Sequence, residues 1–384
     1  MKRISKVLAV LMALALVMGF AAMSASAATI GETFTTFDKN LVVDSTAQIP
    51  TIGFDFDINP GTAIPGTSTT LSIKAGVGSP VIVNNTNPSA AHDAMFDGSM
   101  IENATAGTPT NASETGKVYV TDTVKIDFSG VTFTEPGIYR YVITEDSSPA
   151  LPGVTYDGST RYLDVFVEKD GTDFEITGYA MRNQPDTFST SGDPMEGYSA
   201  EEDPDVKTSS FTNFLDTYDL EFTKTISGNQ ADMSKRFTFT LNITGANPGD
   251  YAIEVSSQDV LVAGENGSHV SEGGMITVAS DGTYTGTFSL TNNDTVTVKE
   301  LNKGATYTVR EDPEDYIPSV DGTSNTYTST GTLADADAST AFTNTHNGII
   351  PTGVIITIAP FMIGLLLFGA VILVMVNRRR RAAY

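Results

Sequence analysis

Phe237-Thr238-Phe239-Thr240-Leu241 alternates large apolar side chains with small polar ones. Successive side chains of a β-strand point to opposite faces, so this pattern predicts a strand with one buried face. The same alternation recurs in Phe54-Asp55-Phe56-Asp57-Ile58 and in Val124-Lys125-Ile126-Asp127-Phe128. Clusters of Gly, Asn, Asp and Pro separate such runs about every ten residues, as turns between short strands would. The sequence therefore predicts an all-β protein built from β-sandwiches.

A short series of residues occurs twice in the same order, which indicates two domains of one plan. The first series is Phe37-Asp38-Lys39, Phe54-Asp55-Phe56, Tyr139-Arg140-Tyr141-Val142-Ile143-Thr144-Glu145 and Phe211-Thr212-Asn213. The second series is Phe222-Thr223-Lys224, Phe237-Thr238-Phe239, Tyr307-Thr308-Val309-Arg310-Glu311 and Phe342-Thr343-Asn344. Because Asn213 completes the first series, we predict domains at residues 28–216 and 217–346.

Two segments of the first domain lack the alternating pattern. Residues 184–205 are acidic and rich in Pro, Ser and Gly, and we predict that they form a long loop inside the domain. Residues 75–117 are rich in Asn, Ser, Thr, Gly and Ala. We expect this second segment to be an exposed insertion.

The period of two residues places a lysine, a glutamate and an asparagine on the apolar faces of their strands in each domain. Burying these groups is costly unless they meet one another, and burial favours the neutral amine and the neutral acid. A neutral lysine amine can attack an asparagine side-chain carbonyl while a protonated glutamate binds that carbonyl and relays protons, which would leave an isopeptide bond. The alternative is a buried Lys–Glu ion pair with no covalent link.

Both ends of the chain carry targeting signals. Basic residues precede an apolar run near the start, and Ala25-Ser26-Ala27 offers a cleavage site, so we predict a signal peptide over residues 1–27 and a mature chain from Ala28. Near the other end, Ile349-Ile350-Pro351-Thr352-Gly353 leads into an apolar stretch long enough to span a bilayer, followed by four arginines. We predict a transmembrane sorting segment over residues 347–384. An ordinary C-terminal membrane anchor is the alternative.

Composition excludes several kinds of function. Removal of both ends takes away seven of the 22 basic residues and none of the 46 acidic ones, which leaves 15 basic side chains and a formal charge of −31. Such a charge argues against nucleic acid or anionic lipid as a partner. Cysteine is absent, and His92, His269 and His346 are scattered, so we expect neither disulfides nor a metal site nor another cofactor. No nucleophile constellation stands out, which makes a surface enzyme the weakest hypothesis.

The paired series and the Pro351-Thr352-Gly353 motif make the chain resemble Gram-positive, streptococcal-type major pilins. That family has isopeptide-linked, CnaB-like domains, and the resemblance covers nearly the whole chain. It implies two tandem Ig-like (CnaB-like) β-sandwiches, with a signal peptide before them and a sortase sorting signal after them. The implied cross-links are Lys39 to Asn213 with Glu145 as catalyst, and Lys224 to Asn344 with Glu311 as catalyst.

The resemblance also implies that a sortase cleaves between Thr352 and Gly353, although this motif lacks the Leu-Pro opening of the commonest sorting signal. In related pilins the acceptor lysine of the next subunit lies near the end of the first domain. Lys207, six residues before Asn213, fits that position. The competing acceptors are Lys117, Lys125 and Lys169.

The expected function is therefore that of a pilus shaft subunit, joined head to tail to copies of itself. The expected partners are sortase, neighbouring copies, peptidoglycan, and minor pilins or an adhesin at the tip. The expected location is the cell surface, first as a membrane-held precursor and then as a wall-anchored pilus. A monomeric, wall-anchored adhesin would share every feature except a usable acceptor lysine, and it is the alternative function.

Overall fold

The computed structural model describes residues 32–185, 208–256, 261–263 and 274–348. The predicted signal peptide, most of the predicted loop at 184–205 and the sorting motif with its apolar stretch lie outside these residues. The regular structure of the described part is almost entirely β, with one short 3-10 helix at Gly98–Asn103. None of its helices has the length and apolar character needed to cross a membrane. The prediction of an all-β fold is confirmed.

The strands of the first half are β1 (Phe34–Asp44), β2 (Ile52–Pro60), β3 (Ile73–Ala75), β4 (Val81–Asn84), β5 (Ala94–Phe96), β6 (Thr105–Ala106), β7 (Lys117–Asp127), β8 (Gly137–Asp146), β9 (Val154–Thr155), β10 (Arg161–Asp170), β11 (Asp173–Arg182) and β12 (Ser210–Leu215). Those of the second half are β13 (Thr217–Ser227), β14 (Phe237–Thr244), β15 (Gly249–Val255), β16 (Leu261–Ala263), β17 (Gly274–Val278), β18 (Tyr284–Leu290), β19 (Thr295–Asn302), β20 (Thr306–Glu311), β21 (Ile317–Val320), β22 (Thr323–Ser324), β23 (Thr328–Thr332) and β24 (Ala338–Thr345).

Each half consists of two sheets. In the first half one sheet has the order β4-β7-β1-β12-β9, with β6 beside β7, and the other has the order β11-β10-β8-β2-β5, with β3 beside β8. In the second half the orders are β17-β15-β19-β13-β24-β21-β22 and β16-β18-β14-β20-β23. The sheet membership changes between Leu215 and Thr217. We propose the boundary between two domains at this change.

The first and last strands of each half lie side by side and run parallel. Lys39 of β1 lies opposite Phe211 of β12, and Lys224 of β13 lies opposite Phe342 of β24. Because each asparagine follows its phenylalanine by two residues, lysine and asparagine project from neighbouring strands into the same space between the sheets. The two halves thus share their strand pairing as well as their sequence pattern.

The facing sheet of each half repeats a second register. Phe56 of β2 pairs with Glu145 of β8, and Phe239 of β14 pairs with Glu311 of β20. Buried Phe, Tyr, Leu, Ile and Val side chains fill the space between the sheets in both halves. These apolar side chains remove most water from around the polar residues on the same faces.

The segment at 75–117 differs from our expectation of an exposed insertion. β4 joins the edge of one sheet and β5 the edge of the other, and Ala94 and Phe96 of β5 are buried in the core. These strands could not be predicted from the sequence, because the segment is rich in small residues and because β4 and β5 are too short to show a clear alternation. The prediction was therefore wrong for β5, while most of the turns between these strands are exposed.

The outer face of β8 is covered as well, which the alternating pattern did not predict. Ile73 of β3 and Ile138 of β8 form a small separate cluster there. Beside it, Arg140 makes a two-point contact with Asp164 of β10, at 2.7 Å from Nε to Oδ1 and 2.8 Å from Nη2 to Oδ2. Both side chains are almost completely buried, so each charge depends on the other for its solvation.

Arg140→Leu should lower the free energy of unfolding of the first domain by about 3 kcal/mol, because it leaves the Asp164 carboxylate buried without its partner. The double variant Arg140→Leu with Asp164→Leu should recover much of that loss, since neither charge is then left alone. Equilibrium unfolding in guanidinium chloride measures both effects. Arg310→Leu, which changes an exposed arginine of the second half, is the matched control. Equal, small effects of Arg140→Leu and Arg310→Leu would contradict the prediction.

Candidate functional site

Three polar side chains meet between the sheets of the first half. Lys39 extends from β1, Asn213 from the neighbouring β12, and Glu145 from β8 of the facing sheet. Lys39 Nζ lies 2.8 Å from Glu145 Oε1, and the exposed fractions of the two side chains are 0% and 1%. Asn213 Nδ2 donates a 2.7 Å hydrogen bond to the same Oε1 atom. One carboxyl oxygen therefore contacts both nitrogens.

The second half contains the same arrangement. Lys224 Nζ of β13 lies 2.5 Å from Glu311 Oε1 of β20, and both side chains are fully buried. Asn344 Nδ2 of β24 donates a 2.9 Å hydrogen bond to that oxygen. The six residues that the sequence singled out thus come together in two sets of three.

Aromatic rings surround each lysine. Lys39 Nζ lies 4.8 Å from the centroid of Phe54, and Lys224 Nζ lies 4.3 Å from the centroid of Phe237. These phenylalanines occupy matching positions, two residues before the ring that pairs with the glutamate. A cation over a ring gains about 1 kcal/mol, which offsets only a small part of the cost of burying it.

Burial changes the pKa values of both ion pairs in the same way. It lowers the pKa of Lys39 and that of Lys224, each to about 8, although the neighbouring carboxylates favour the charged lysines and oppose this change. It raises the pKa of Glu145 and of Glu311, although the lysines and asparagines pull the other way. The second carboxyl oxygen of each glutamate is buried with no hydrogen-bond partner in the described part of the chain. A buried oxygen without a partner costs a neutral acid less free energy than it costs a carboxylate, so this position favours the protonated glutamate.

This geometry suits transfer of an acyl group from one nitrogen to another. A neutral lysine amine is a nucleophile, and the asparagine side-chain carbonyl is the electrophile beside it. The shared glutamate oxygen lies between the attacking nitrogen and the leaving nitrogen. It can therefore accept a proton from the first and deliver one to the second.

The position of the glutamate differs in one respect from the mechanism expected from the sequence. We expected its acidic proton to bind the asparagine carbonyl, whereas in both halves its Oε1 contacts the asparagine nitrogen. In the first half the carbonyl oxygen, Asn213 Oδ1, accepts a 2.8 Å hydrogen bond from the backbone N–H of Asp157. Sequence reasoning missed Asp157 and its ion-pair partner Arg161, since they lie in and after an irregular segment with no periodic pattern.

The structure describes only some of the residues predicted to take part in polymerisation. The cleavage motif Pro351-Thr352-Gly353 and the candidate acceptor Lys207 lie outside the described residues. The competing acceptors Lys117 and Lys125 are partly buried and contact Asp44 and Asp127, at 2.8 and 3.4 Å respectively. Lys169 is exposed at the end of β10. Among the described residues no group of His, Cys, Asp and Glu is arranged to hold a metal ion.

Two families match adjoining parts of the chain. Residues 83–213 match the Spy0128-like isopeptide containing domain, and residues 218–346 match a domain of unknown function, DUF7601. The first match ends on Asn213, and the second ends two residues after Asn344.

Similar proteins cover most of the chain. A protein named pilin from Streptococcus pyogenes serotype M1 is 28% identical over an alignment of 348 residues that covers 85% of this chain and 85% of its own. Among solved structures, a major pilin protein (T3.2) from Streptococcus pyogenes has 20% identity and a TM-score of 0.53, covering 83% of this chain and 100% of its own. A variant of a Streptococcus pyogenes major pilin has 23% identity and a TM-score of 0.50, covering 82% and 99%. The structures support the fold, and together with the sequence similarity they confirm the resemblance to streptococcal pilins.

Proposed function

We propose that this chain, a relative of the streptococcal pilins, is the structural subunit of a pilus shaft. The observation that carries the proposal is the buried Lys–Glu–Asn set that occurs in the same register in both halves. Similarity to a pilin along 85% of both chains supports it, because the likeness extends well beyond a single shared domain. In this function the protein acts on no external substrate, and its chemistry is confined to its own side chains.

Each Lys–Glu–Asn set forms one intramolecular isopeptide bond. The lysine Nζ bonds to the asparagine Cγ, the bond from Cγ to Nδ2 breaks, and the nitrogen leaves as ammonia. The protonated glutamate gives its proton to the leaving nitrogen and takes one from the attacking amine, so it is unchanged at the end. The predicted links are Lys39 to Asn213 with Glu145 as catalyst, and Lys224 to Asn344 with Glu311 as catalyst. No cofactor enters the reaction.

The place of these bonds in the fold suits a subunit under tension. Each bond joins the first strand of a domain to the last, which lie parallel and adjacent. Tension entering through one strand would cross to the other through a covalent bond, so the hydrogen bonds between strands would carry little of it. If the chain-entropy model for disulfides is applied, closing loops of this length stabilises each domain by about 5 kcal/mol.

Polymerisation uses groups outside the described residues. A sortase cuts between Thr352 and Gly353 and transfers the Thr352 carboxyl to a lysine of the next subunit, for which Lys207 is our candidate. The last subunit is joined to peptidoglycan in the same way. A head-to-tail contact of this kind does not close on itself and therefore yields a filament. Minor pilins or a tip adhesin would add to such a filament by the same transfer.

Lys207→Arg should abolish covalent polymers on the surface of cells that produce the chain, because arginine keeps the charge but does not serve as the amine acceptor. Polymers that survive boiling in detergent measure the effect after release from the cell wall. Lys169→Arg is the matched control and should leave the polymers intact. Polymer loss with Lys169→Arg alone would identify Lys169, rather than Lys207, as the acceptor. A wild-type chain found only as wall-linked monomer would favour the adhesin.

Glu311→Ala should leave the second domain folded but without its bond, so the exported chain would lose one ammonia fewer than the wild type. Its melting temperature should fall, since the unfolded domain regains the freedom that the cross-link removes. Glu314→Ala, an exposed acidic position three residues away, is the control. An ammonia loss equal to that of the wild type, measured by mass spectrometry against the sequence mass of each chain, would contradict the role of Glu311.

The rate of bond formation should be nearly independent of pH over a plateau around neutrality. The ion pair and the reactive neutral pair contain the same number of protons. They therefore interconvert when one proton moves between lysine and glutamate, and no proton is exchanged with solvent. Above about pH 8 the pair loses the proton that the leaving nitrogen needs, and the rate should fall. It should also fall in acid, where both groups are protonated, at a pH above the usual carboxyl range because the glutamate pKa values are raised.

Brief cell-free synthesis of the exported chain, followed by transfer to buffers of different pH and quenching at timed intervals, provides the rates. Mass spectrometry of the cross-linked peptides then counts the two bonds separately. A rate that rises about tenfold per pH unit from pH 6 to 9 would contradict the internal proton transfer.

A further inference from the structure

We propose that the backbone N–H of Asp157, held in place by Arg161, stabilises the oxyanion that forms on Asn213 during cross-linking in the first domain. This inference rests on the proposed isopeptide chemistry and adds a donor to it. The N–H group contacts the reacting carbonyl itself, whereas Arg161 acts through Asp157 and is a positioning residue.

The contact to the carbonyl is direct. Asp157 N donates to Asn213 Oδ1 at 2.8 Å, so the donor already contacts the atom on which negative charge would develop. The donor lies in the irregular segment between β9 and β10. This hydrogen bond also orients the amide group, since it places the oxygen toward Asp157 and the leaving nitrogen toward Glu145.

The Asp157 side chain fixes the position of its own backbone. Asp157 Oδ2 accepts hydrogen bonds from Arg161 Nη2 at 2.7 Å and from the backbone N–H of Thr212 at 3.1 Å. Thr212 immediately precedes Asn213, so one carboxylate ties the donor segment to the strand that carries the electrophile. The N–H of Asp157 is thereby held against the asparagine before the reaction begins.

Arg161 is held by the same strand. Its Nε donates to Ser210 O of β12 at 3.1 Å, and its guanidinium group lies 4.6 Å from the centroid of Phe211. The side chain is nearly buried. Burial is the largest cause of the lowered pKa of Lys39, and the small contribution of the Arg161 charge is opposed by a larger one from the Asp157 carboxylate. Arg161 therefore supports the reaction through position.

The Asp157 N–H group contributes at the step in which negative charge develops on Asn213 Oδ1. When the Lys39 nitrogen bonds to Asn213 Cγ, the electron pair of the carbonyl double bond moves onto Oδ1, where the Asp157 N–H group is already aimed. As the carbonyl reforms, the bond to Nδ2 breaks, ammonia leaves with the proton supplied by Glu145, and the Lys39 nitrogen returns one proton to Glu145. A donor placed in advance lowers the energy of the charged intermediate without reorganisation.

The second domain lacks a matching donor among its described residues. Asn344 Oδ1 is buried there and has no hydrogen-bond partner in the ranges that the structure describes. The two sites therefore share the shape of the Lys–Glu–Asn set but differ at the carbonyl oxygen. Within one chain, the second site serves as an internal control for any change at the first.

Asp157→Pro and Asp157→Ala test the donor as a matched pair, because both remove the carboxylate and only proline removes the N–H. We expect Asp157→Pro to form the Lys39–Asn213 link roughly a hundredfold to a thousandfold more slowly than Asp157→Ala. The Lys224–Asn344 link should keep its wild-type rate in both chains. Timed cell-free synthesis of the exported chain, with each link counted by peptide mass, gives the two rates.

Arg161→Gln and Arg161→Lys provide a second test that does not require the proline variant to fold. Arg161→Gln removes the ion pair to Asp157 and should slow the first link, whereas lysine restores a cation and should recover part of the rate. A role limited to packing on Phe211 would not be rescued by lysine, since the planar stacking group is absent from both variants.

Equal rates for the two Asp157 variants, together with an unchanged rate in Arg161→Gln, would overturn the inference. The same experiment separates this failure from failure of the proposed function. If the unaltered chain forms neither link, the isopeptide chemistry itself is wrong. If the unaltered chain forms both links and the variants keep pace with it, only the role of Asp157 and Arg161 is lost.

Discussion

The structure depends on the burial of a lysine, a glutamate and an asparagine together between two apolar sheets. Each charge would be costly alone, and the glutamate oxygen that contacts both nitrogens is what makes the burial tolerable. The same burial lowers the pKa of the lysine and raises the pKa of the glutamate, which moves the pair toward the neutral forms that the proposed reaction needs. The contact between lysine and glutamate opposes these shifts, but burial outweighs it.

The sheet arrangement couples this chemistry to folding. Lysine and asparagine lie on parallel neighbouring strands of one sheet, while the glutamate comes from the facing sheet. In the proposed reaction, the glutamate reaches the lysine and the asparagine only when the two sheets have closed over their core, so a link to a wrong partner in the unfolded chain would lack its catalyst. The covalent bond would then preserve a fold that had to form first. This order suits the proposed pilus subunit, because its sequence contains no cysteine that could form a disulfide.

Much of this arrangement could be predicted from the sequence, because period-two alternation assigns each side chain to a face. It placed Lys39 and Glu145 among apolar neighbours, and the repeated series identified their counterparts Lys224 and Glu311. Alternation did not reveal the short strand β5 or the burial of Arg140 on the outer face of β8. It also missed Asp157, whose backbone N–H donates a hydrogen bond to Asn213 far along the chain and leaves no pattern in the local sequence.

The two proposed cross-links can be tested together by the intact mass of residues 28–352, produced without any sortase. This mass should be lower than the sequence value by two ammonia molecules, and fragment spectra should join Lys39 to Asn213 and Lys224 to Asn344. A mass equal to the sequence value would contradict both cross-links. The buried sets would then be ion pairs with hydrogen-bonded asparagines, and neither domain would carry a covalent link between its first and last strands.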